Sequence, residues 1–413
     1  MKFEEYNISP EIKKSLAFLE FVKPTDIQFK SIPPILKGED VLAIAQTGTG
    51  KTAAFAIPVI DILHSRKNRD RPDGIKCVVM VPTHELALQI TEVFEILARH
   101  TKVKTLCVYG GVEQEPQIAK LQKGVDILIA TPGRMFDLIG QGFIDLHRVE
   151  ILILDEADHM LDLGFIGDID SVIKHIPRFH QTLFFSATIN EKIKDLAYSI
   201  VHNPIRIQIS PKDPVAKNIT HSVAFIEMDD KRFFLERIIK ENPESKTLVF
   251  VRTKVRAERV CKALERVGIS SQTIHSDKEQ KNRLEIMNQF RSGELKILIA
   301  TDVSSRGIDI PNVDYVINYD LPEVAENYVH RVGRTGRGTK KGLAVSFCSS
   351  EEKKILHEIE QFLTKPINIM EISHTDYSET IDFSEDSKAD WKSLLREVET
   401  AEMYKGKEKK RGK

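Results

Sequence analysis

The run Val41-Leu42-Ala43-Ile44-Ala45-Gln46-Thr47-Gly48-Thr49-Gly50-Lys51-Thr52 admits few folds. Its apolar start reads as a buried strand, Ala53-Ala54-Phe55-Ala56 after it as the opening of a helix, and the glycines between as a turn. Glycines there let backbone N–H groups point inward around an anion, which the N-terminus of the following helix also favours. The chemistry suited to such a turn is a nucleoside triphosphate. Ala45, Gln46, Thr47, Gly48, Thr49 and Gly50 would surround the phosphates, Lys51 would reach the β- and γ-phosphates, and Thr52 would ligate Mg²⁺. Ala45 stands where the loop pattern usually begins with glycine, and its side chain is small.

From Val41 onward, apolar β-branched runs alternate with helical patterns. Strands are expected at Cys77–Val81, Thr105–Tyr109, Asp126–Ala130, Ile151–Leu154, Thr182–Phe185 and Ile205–Ile209, with amphipathic helices such as Glu85–Arg99 between them. Strand and helix in turn imply a mostly parallel sheet covered by helices on both faces. The stretch Ser210–Lys217 has two prolines and no apolar periodicity, which marks a linker. A second series follows, with strands at Ser222–Phe225, Thr247–Val251, Ser271–Ile274, Ile297–Ala300, Tyr315–Asn318 and Leu343–Cys348, then a helix near Glu351–Leu363. The expected class is therefore α/β, with domains at 1–209 and 218–370 joined by residues 210–217. Residues 371–413, acidic and then basic, are expected as a disordered tail. Ahead of the first strand, helices are expected at Pro10–Phe21 and Gln28–Lys37, with Thr25 or Asp26 as N-cap.

Composition narrows the setting. A net charge of −1 provides no global field for a polyanion, so nucleic acid would have to be met by a local groove. No apolar run is long enough to span a membrane, and the N-terminus lacks a secretory h-region. Cys77, Cys107, Cys261 and Cys348 share no metal-ligand or disulfide spacing and read as reduced core or near-core residues. A cytoplasmic protein is expected.

A triphosphatase needs a carboxylate at the carboxyl end of a neighbouring strand, and Ile151–Leu154 delivers Asp155-Glu156-Ala157-Asp158 there. Asp155 would hold Mg²⁺ through its water shell and Glu156 would position or deprotonate the attacking water. Ser186 and Thr188, after another apolar run, are placed to hydrogen-bond the carboxylates of this second motif, Asp158 among them, and so couple the γ-phosphate state to the rest of the molecule. In the second domain, His330, Arg334 and Arg337 stand at i, i+4 and i+7, on one face of a helix or helical turn. A cluster of guanidinium groups aimed one way calls for anions, and arginine fingers for a γ-phosphate on the other domain meet that demand. Thr301–Asp309 mixes hydroxyls, carboxylates and an arginine after a strand and reads as a relay between nucleotide and a second ligand.

These residues carry a resemblance from Phe3 to about Lys365. The sequence resembles the DEAD-box RNA helicases of superfamily 2, which have two tandem RecA-like domains. The matching motifs are Phe21–Gln28, Ala45–Thr52, Pro82–Ala87, Gly110-Gly111, Thr131–Arg134, Asp155–Asp158, Ser186–Thr188, Gln280 to Arg283, Thr301–Asp309 and His330–Arg337. The segment Gly336–Gly342 is similar to the bacterial RhlE-type branch. The resemblance implies an ATP hydrolase in which Phe21 stacks on adenine, Gln28 reads its edge, Lys23 belongs to the same nucleotide motif, and Asp309 reaches the nucleotide from the second domain. It also implies RNA held by its backbone at Thr83, Gly111, Thr131, Arg134, Arg283 and Thr301, with little sequence specificity and with 2′-OH contacts discriminating against DNA. RNA-stimulated ATP hydrolysis would drive local unwinding of short duplexes or remodelling of ribonucleoproteins, by a monomer serving ribosome assembly or RNA turnover.

Four positions depart from the family pattern: His84 replaces an arginine, Glu20 a glycine, Arg252 an asparagine and Ser276 a glycine. A neutral imidazole lacks arginine's fixed bidentate charge, so RNA binding at His84 is expected to be weaker or pH-sensitive below about 6.5. Two other functions share this plan: a DNA translocase, disfavoured by Phe21–Gln28 and the Asp-Glu-Ala-Asp form, and an RNA clamp that rarely turns over, disfavoured by Glu156 and the two arginines.

Overall fold

The computed structural model describes residues 2–46, 48–67, 74–209, 215–216, 218–302, 313–336 and 341–384. Among them lie two parallel seven-stranded sheets. The first comprises β1 (Val41–Ala45), β2 (Cys77–Met80), β3 (Thr105–Val108), β4 (Ile127–Ala130), β5 (Ile151–Leu154), β6 (Gln181–Ser186) and β7 (Ile205–Ile209), in the order β3-β4-β2-β5-β6-β1-β7. The second comprises β8 (Ile219–Phe225), β9 (Thr247–Phe250), β10 (Gln272–Ile274), β11 (Ile297–Ala300), β12 (Tyr315–Asn318), β13 (Gly342–Cys348) and β14 (Asn368–Ile369), in the order β10-β11-β9-β12-β13-β8-β14.

The near-continuous apolar runs follow from two-sided burial. Along β1, Val41, Ala43 and Ala45 enter a core with Phe55, Ile57 and Phe185, while Leu42 and Ile44 enter the opposite core with Leu152 and Phe184. In the second sheet, Leu248 and Phe250 face one core and Val249 and Val251 the other. The strand order sets β6 between β1 and β5, in register with Ile44 opposite Ser186 and Leu154 opposite Phe184. The loop after β1, the carboxylates after β5 and the hydroxyls after β6 therefore leave adjacent strand ends, where parallel sheets bind ligands.

Three expectations are corrected. The helix expected at Pro10–Phe21 spans Pro10–Phe18 and ends where Glu20 adopts φ +57°. A side chain in that left-handed backbone costs about 1 kcal/mol. The helix expected at Gln28–Lys37 spans Asp26–Leu36, with Thr25 and Gln28 forming a capping box. Part of the tail expected to be disordered is a helix, His374–Phe383. Its Ser373 hydroxyl accepts from Asp376 N at 3.0 Å, the Tyr377 ring packs 4.9 Å from Phe234, and the Tyr377 hydroxyl donates to Asp230. Arg237 also donates to Thr380 at 2.6 Å, so an acidic segment acquires a place on the helix Lys231–Glu241 through contacts that composition does not reveal. Residues 210–214 and 217 of the expected linker, and the chain after Ser384, lie outside the described residues.

All four cysteines are free, with Cys77 and Cys348 buried. Among the described residues no helix is long and apolar enough to cross a membrane.

Candidate active site between the two sheets

The turn after β1 is open because two of its glycines have left-handed backbones, φ +81° at Gly48 and +92° at Gly50. Gly50 is also tightly approached. A Cβ there would lie 2.6 Å from Gln28 Nε2, which donates to Gly50 O at 3.2 Å, while Gln28 Oε1 accepts from Thr25 N at 2.9 Å. Thr49 Oγ1 donates to Gln46 O at 2.7 Å and braces the turn. The helix Lys51–Lys67 begins directly after it. Lys51 is buried, and among the described residues its Nζ has no hydrogen-bond partner. A buried ammonium without acceptors is costly, so this donor set suits an incoming polyphosphate. Phe21 lies 6.4 Å from Phe3, ring stacked on ring, and stays 40% exposed, free to take a second flat partner. Thr47 lies outside the described residues.

After β5, Asp155 is 3% exposed and its Oδ1 accepts from Glu156 N at 3.0 Å. Burial pushes its carboxyl up to about 6, against the pull of the Lys51 charge. A carboxylate so placed is short of positive charge, which suits a hard divalent cation. Glu156 sits in the left-handed region at φ +52°, a conformation that non-glycine residues hold at functional sites. Burial acts to raise its pKa, but His159, Lys51 and Arg334 together hold it at about 2. Neighbouring carboxyls thus titrate apart. His159, whose Nδ1 lies 3.5 Å from Glu156 Oε2, was not anticipated. Its i+3 spacing from Glu156 on a helical segment is the signal that would have found it.

The hydroxyl segment after β6 meets Asp158. Its Oδ2 accepts from Ala187 N (3.2 Å), Thr188 N (3.0 Å) and Thr188 Oγ1 (3.0 Å). Ser186 takes a different partner than expected, donating to Thr188 O at 2.8 Å and reaching no carboxylate. It shapes the turn that carries Thr188.

The second sheet closes the site with one correction. His330 and Arg334 do not share a helical face, because the helix Ala325–Val332 ends at Gly333. A Cβ at Gly333 would approach Val329 O to 3.1 Å, and the chain turns there instead of continuing the spiral. Arg334 lies beyond that turn, 5% exposed, its Nε donating to His330 O at 3.2 Å. It still acts on Glu156 from across the interface. Arg331 is the motif's buried brace: it binds both oxygens of Asp302 at 2.6 and 2.7 Å and donates to Asp320 O at 2.7 Å. Arg337 and Asp309 lie outside the described residues.

Some of the residues expected to hold a nucleic-acid backbone share one cleft. Thr131 and Arg134 line a cleft of about 420 Å³ together with Pro82, His84 and Gly110. Arg134 donates to Val112 O at 2.9 Å, and its Nη1 is buried without a hydrogen-bond partner among the described residues. Thr83 caps the helix His84–Ala98, its hydroxyl accepting from Leu86 N at 3.3 Å, and Gly111 holds φ +76°. Thr301 follows β11 and is nearly buried. Arg283, from the second half, pairs with Glu85 of the first at 2.8 Å, and Gln280 Nε2 donates to the same carboxylate at 3.3 Å. Arg252 donates to Glu352 at 3.1 Å, and Ser276 is exposed, its hydroxyl donating to Asp277.

Comparison with known proteins agrees with this geometry. The DEAD/DEAH box helicase family model matches residues 25–196, and the helicase conserved C-terminal domain matches residues 230–339. The ATP-dependent RNA helicase RhlB of Shewanella oneidensis is 40% identical over 375 residues, covering 89% of this chain and 85% of that one. The DEAD-box ATP-dependent RNA helicase RhpA of Helicobacter pylori is 38% identical over 386 residues, covering 94% and 77%. Among solved structures, Mss116p bound to single-stranded RNA and AMP-PNP superposes with a TM-score of 0.82 at 30% identity, covering 92% of this chain and 81% of that one. Saccharomyces cerevisiae Dbp5 bound to RNA and ADP BeF3 gives 0.79 at 29% identity, covering 91% and 97%. Two parallel sheets meeting over one phosphate turn are thus the tandem RecA-like pair, and the chain belongs to the DEAD-box RNA helicase family.

Proposed function

We propose that this ATP-dependent RNA helicase hydrolyses ATP between its two sheets and uses the closure of one half on the other to grip an RNA backbone and separate short duplexes. The observation that carries the reading is the buried Lys51 ammonium, partnerless among the described residues and facing Asp155 and Glu156, with Arg334 acting on Glu156 from the opposite half. Gln46, Gly48, Thr49, Gly50 and Lys51 hold the phosphates, with Thr47 completing the loop. Gln28 and Lys23 frame the base beside Phe21. Thr52 and Asp155 would hold Mg²⁺, which when bound neutralises charge on the phosphates. Glu156, kept ionised by its low pKa, orients the attacking water or takes its proton. Arg334, Arg337 and His330 supply positive charge and donors from the second half, and Asp309 reaches the nucleotide from the same side. Asp158, Thr188 and Ser186 link the carboxylate motif to the inter-sheet surface. Thr83, Gly111, Thr131, Arg134, Arg283 and Thr301 face the RNA.

The matched relatives are named RhlB and RhpA, and the RhlE-like branch finds no support among them. A cytoplasmic monomer acting in ribosome assembly or RNA turnover belongs to this proposal and rests on the family resemblance.

The test is steady-state ATP hydrolysis without nucleic acid, with single-stranded RNA and with single-stranded DNA of the same sequence, using Glu156→Gln as the blank. Stimulation by RNA alone, lost in the blank, is expected. Equal rates in all three refute the proposal, and equal stimulation by DNA favours a translocase.

A further inference from the structure

The carboxylate motif is followed by a histidine whose surroundings ask for an explanation. His159 lies on the short helix Ala157–Asp162, is 4% exposed, and among the described residues neither of its ring nitrogens has a hydrogen-bond partner. A buried imidazole in that state has given up its bonds to water and received none in return, which folded proteins rarely tolerate without a use for the group. Its Nδ1 faces the Glu156 carboxylate, 3.5 Å from Oε2, with the two side chains 5% and 12% exposed. That separation exceeds a hydrogen bond by about 0.5 Å, and catalytic hydrogen bonds are commonly long until the substrate is in place.

The local backbone leaves Glu156 in need of such a hold. It is the N-cap of that helix at φ +52°, and its side chain makes no capping bond. Asp155 Oδ1 fixes its backbone N–H at 3.0 Å but not the direction of its carboxylate. The support behind His159 is firm by contrast. Its neighbours Ala157 and Met160 are wholly buried in the core with Leu154 and Phe184, and Met160 N donates to Glu156 O at 3.0 Å. The backbone N–H of His159 also donates to Asp158 Oδ1 at 3.1 Å, while Asp158 Oδ2 accepts from Thr188 N and Thr188 Oγ1 at 3.0 Å. One residue therefore meets both acidic groups, Glu156 through its ring and Asp158 through its backbone.

We propose that His159 is a positioning residue for hydrolysis: its Nδ1–H donates to Glu156 Oε2 and holds the carboxylate so that Oε1 faces the attacking water. The inference rests on the RNA-dependent ATPase reading above. An ionised carboxylate only accepts, so the ring's share of this bond is a proton on Nδ1. His159 touches neither nucleotide nor RNA in this arrangement, and its contribution is made through Glu156 alone. Loss of the bond leaves the affinity for both ligands in place and lowers the fraction of bound ATP that meets a correctly aimed carboxylate.

The test compares RNA-stimulated hydrolysis, resolved into kcat and the KM values for ATP and RNA, in wild type, His159→Asn, His159→Leu and His159→Met. Asparagine returns an amide N–H close to where Nδ1 stood, whereas leucine and methionine fill the buried space without a donor. The expected result is a kcat about tenfold lower in both donor-free variants, part of what a positioned base contributes, with both KM values within about twofold of wild type. His159→Asn should recover kcat to within about threefold of wild type, as a retained hydrogen-bond donor requires. Using two donor-free side chains keeps the comparison open if one of them fails to fold. A kcat that falls equally in His159→Asn and the donor-free variants overturns the proposal in favour of a packing role. So does a loss expressed in the KM for ATP, and an unchanged kcat in His159→Leu or His159→Met overturns it outright. Wild-type hydrolysis with RNA no faster than the Glu156→Gln blank refutes the parent reading instead.

Discussion

Replacing Gly50 by alanine tests whether the residues that frame the base and those that hold the phosphates form one mechanical unit. Gly48 and Gly50 both have positive φ, at +81° and +92°, so an alanine at either meets the left-handed penalty of about 1–2 kcal/mol. Their surroundings differ. A Cβ at Gly48 meets nothing within 4 Å, whereas at Gly50 it meets Gln28 Nε2 at 2.6 Å and Thr25 Oγ1 at 3.1 Å. Relieving that overlap displaces the Gln28 amide, which loses its bonds to Gly50 O and Thr25 N, each worth about 1 kcal/mol. Gly48→Ala should therefore cost ~1 kcal/mol and Gly50→Ala ~3 kcal/mol, or falls in Tm of about 3 °C and 9 °C for a domain of this size. The decisive assay is a double-mutant cycle by urea unfolding. With Gln28→Ala already present the overlap is gone, and Gly50→Ala should cost only the backbone term, a coupling of about 2 kcal/mol. In the same cycle, Gly50→Ala and Gln28→Ala should raise the KM for ATP by less together than the product of their single effects. Additivity within about 0.5 kcal/mol would refute the reasoning, since uncoupled sites add to that precision.

Asp155→Asn should stabilise the nucleotide-free protein while abolishing hydrolysis. Its folded pKa is raised from 3.8 to about 6, so ionisation is penalised in the folded state, and at 1.36 kcal/mol per unit the relief is up to ~3 kcal/mol at pH 7. That advantage should shrink as pH falls from 6 and vanish near 4; urea unfolding across this range that shows no pH-dependent gain would contradict the burial argument. Thr188→Val removes one of three donors to Asp158 and leaves the backbone pair in place. Hydrolysis should stay within about threefold of wild type, since the two backbone donors still hold Asp158, while strand separation per ATP falls; equal losses in both would deny Thr188 a coupling role.

The alternation of strands and helices was legible because burial on both faces writes an unbroken apolar run, and β5, β7, β11 and β12 begin and end where those runs do. The loop after β1 was legible for a related reason, since glycines between strand and helix serve one geometry. Less visible was anything that depends on where a helix stops. The His330–Arg337 stretch has the spacing of one face, yet Gly333 ends the helix and Arg331, unremarked in the sequence, becomes the buried brace on Asp302. The helix His374–Phe383 was hidden by acidic composition, because a few contacts to Phe234, Asp230 and Arg237 outweigh an average over residues.

The sequence by itself determined the class of fold, the phosphate loop, the carboxylate motif and the family, since each is written in residues adjacent along the chain. The tertiary structure decided which of those residues meet. Burial pushes Asp155 to about 6, while Glu156 is held at about 2 by His159 on the next helical turn, by Lys51 after the phosphate turn and by Arg334 from the other half of the molecule. Arg283 likewise meets Glu85 across an interface that no local pattern records. Electrostatic and hydrogen-bond energies depend on distance in space and on burial, and chain order specifies neither until the sheets have packed.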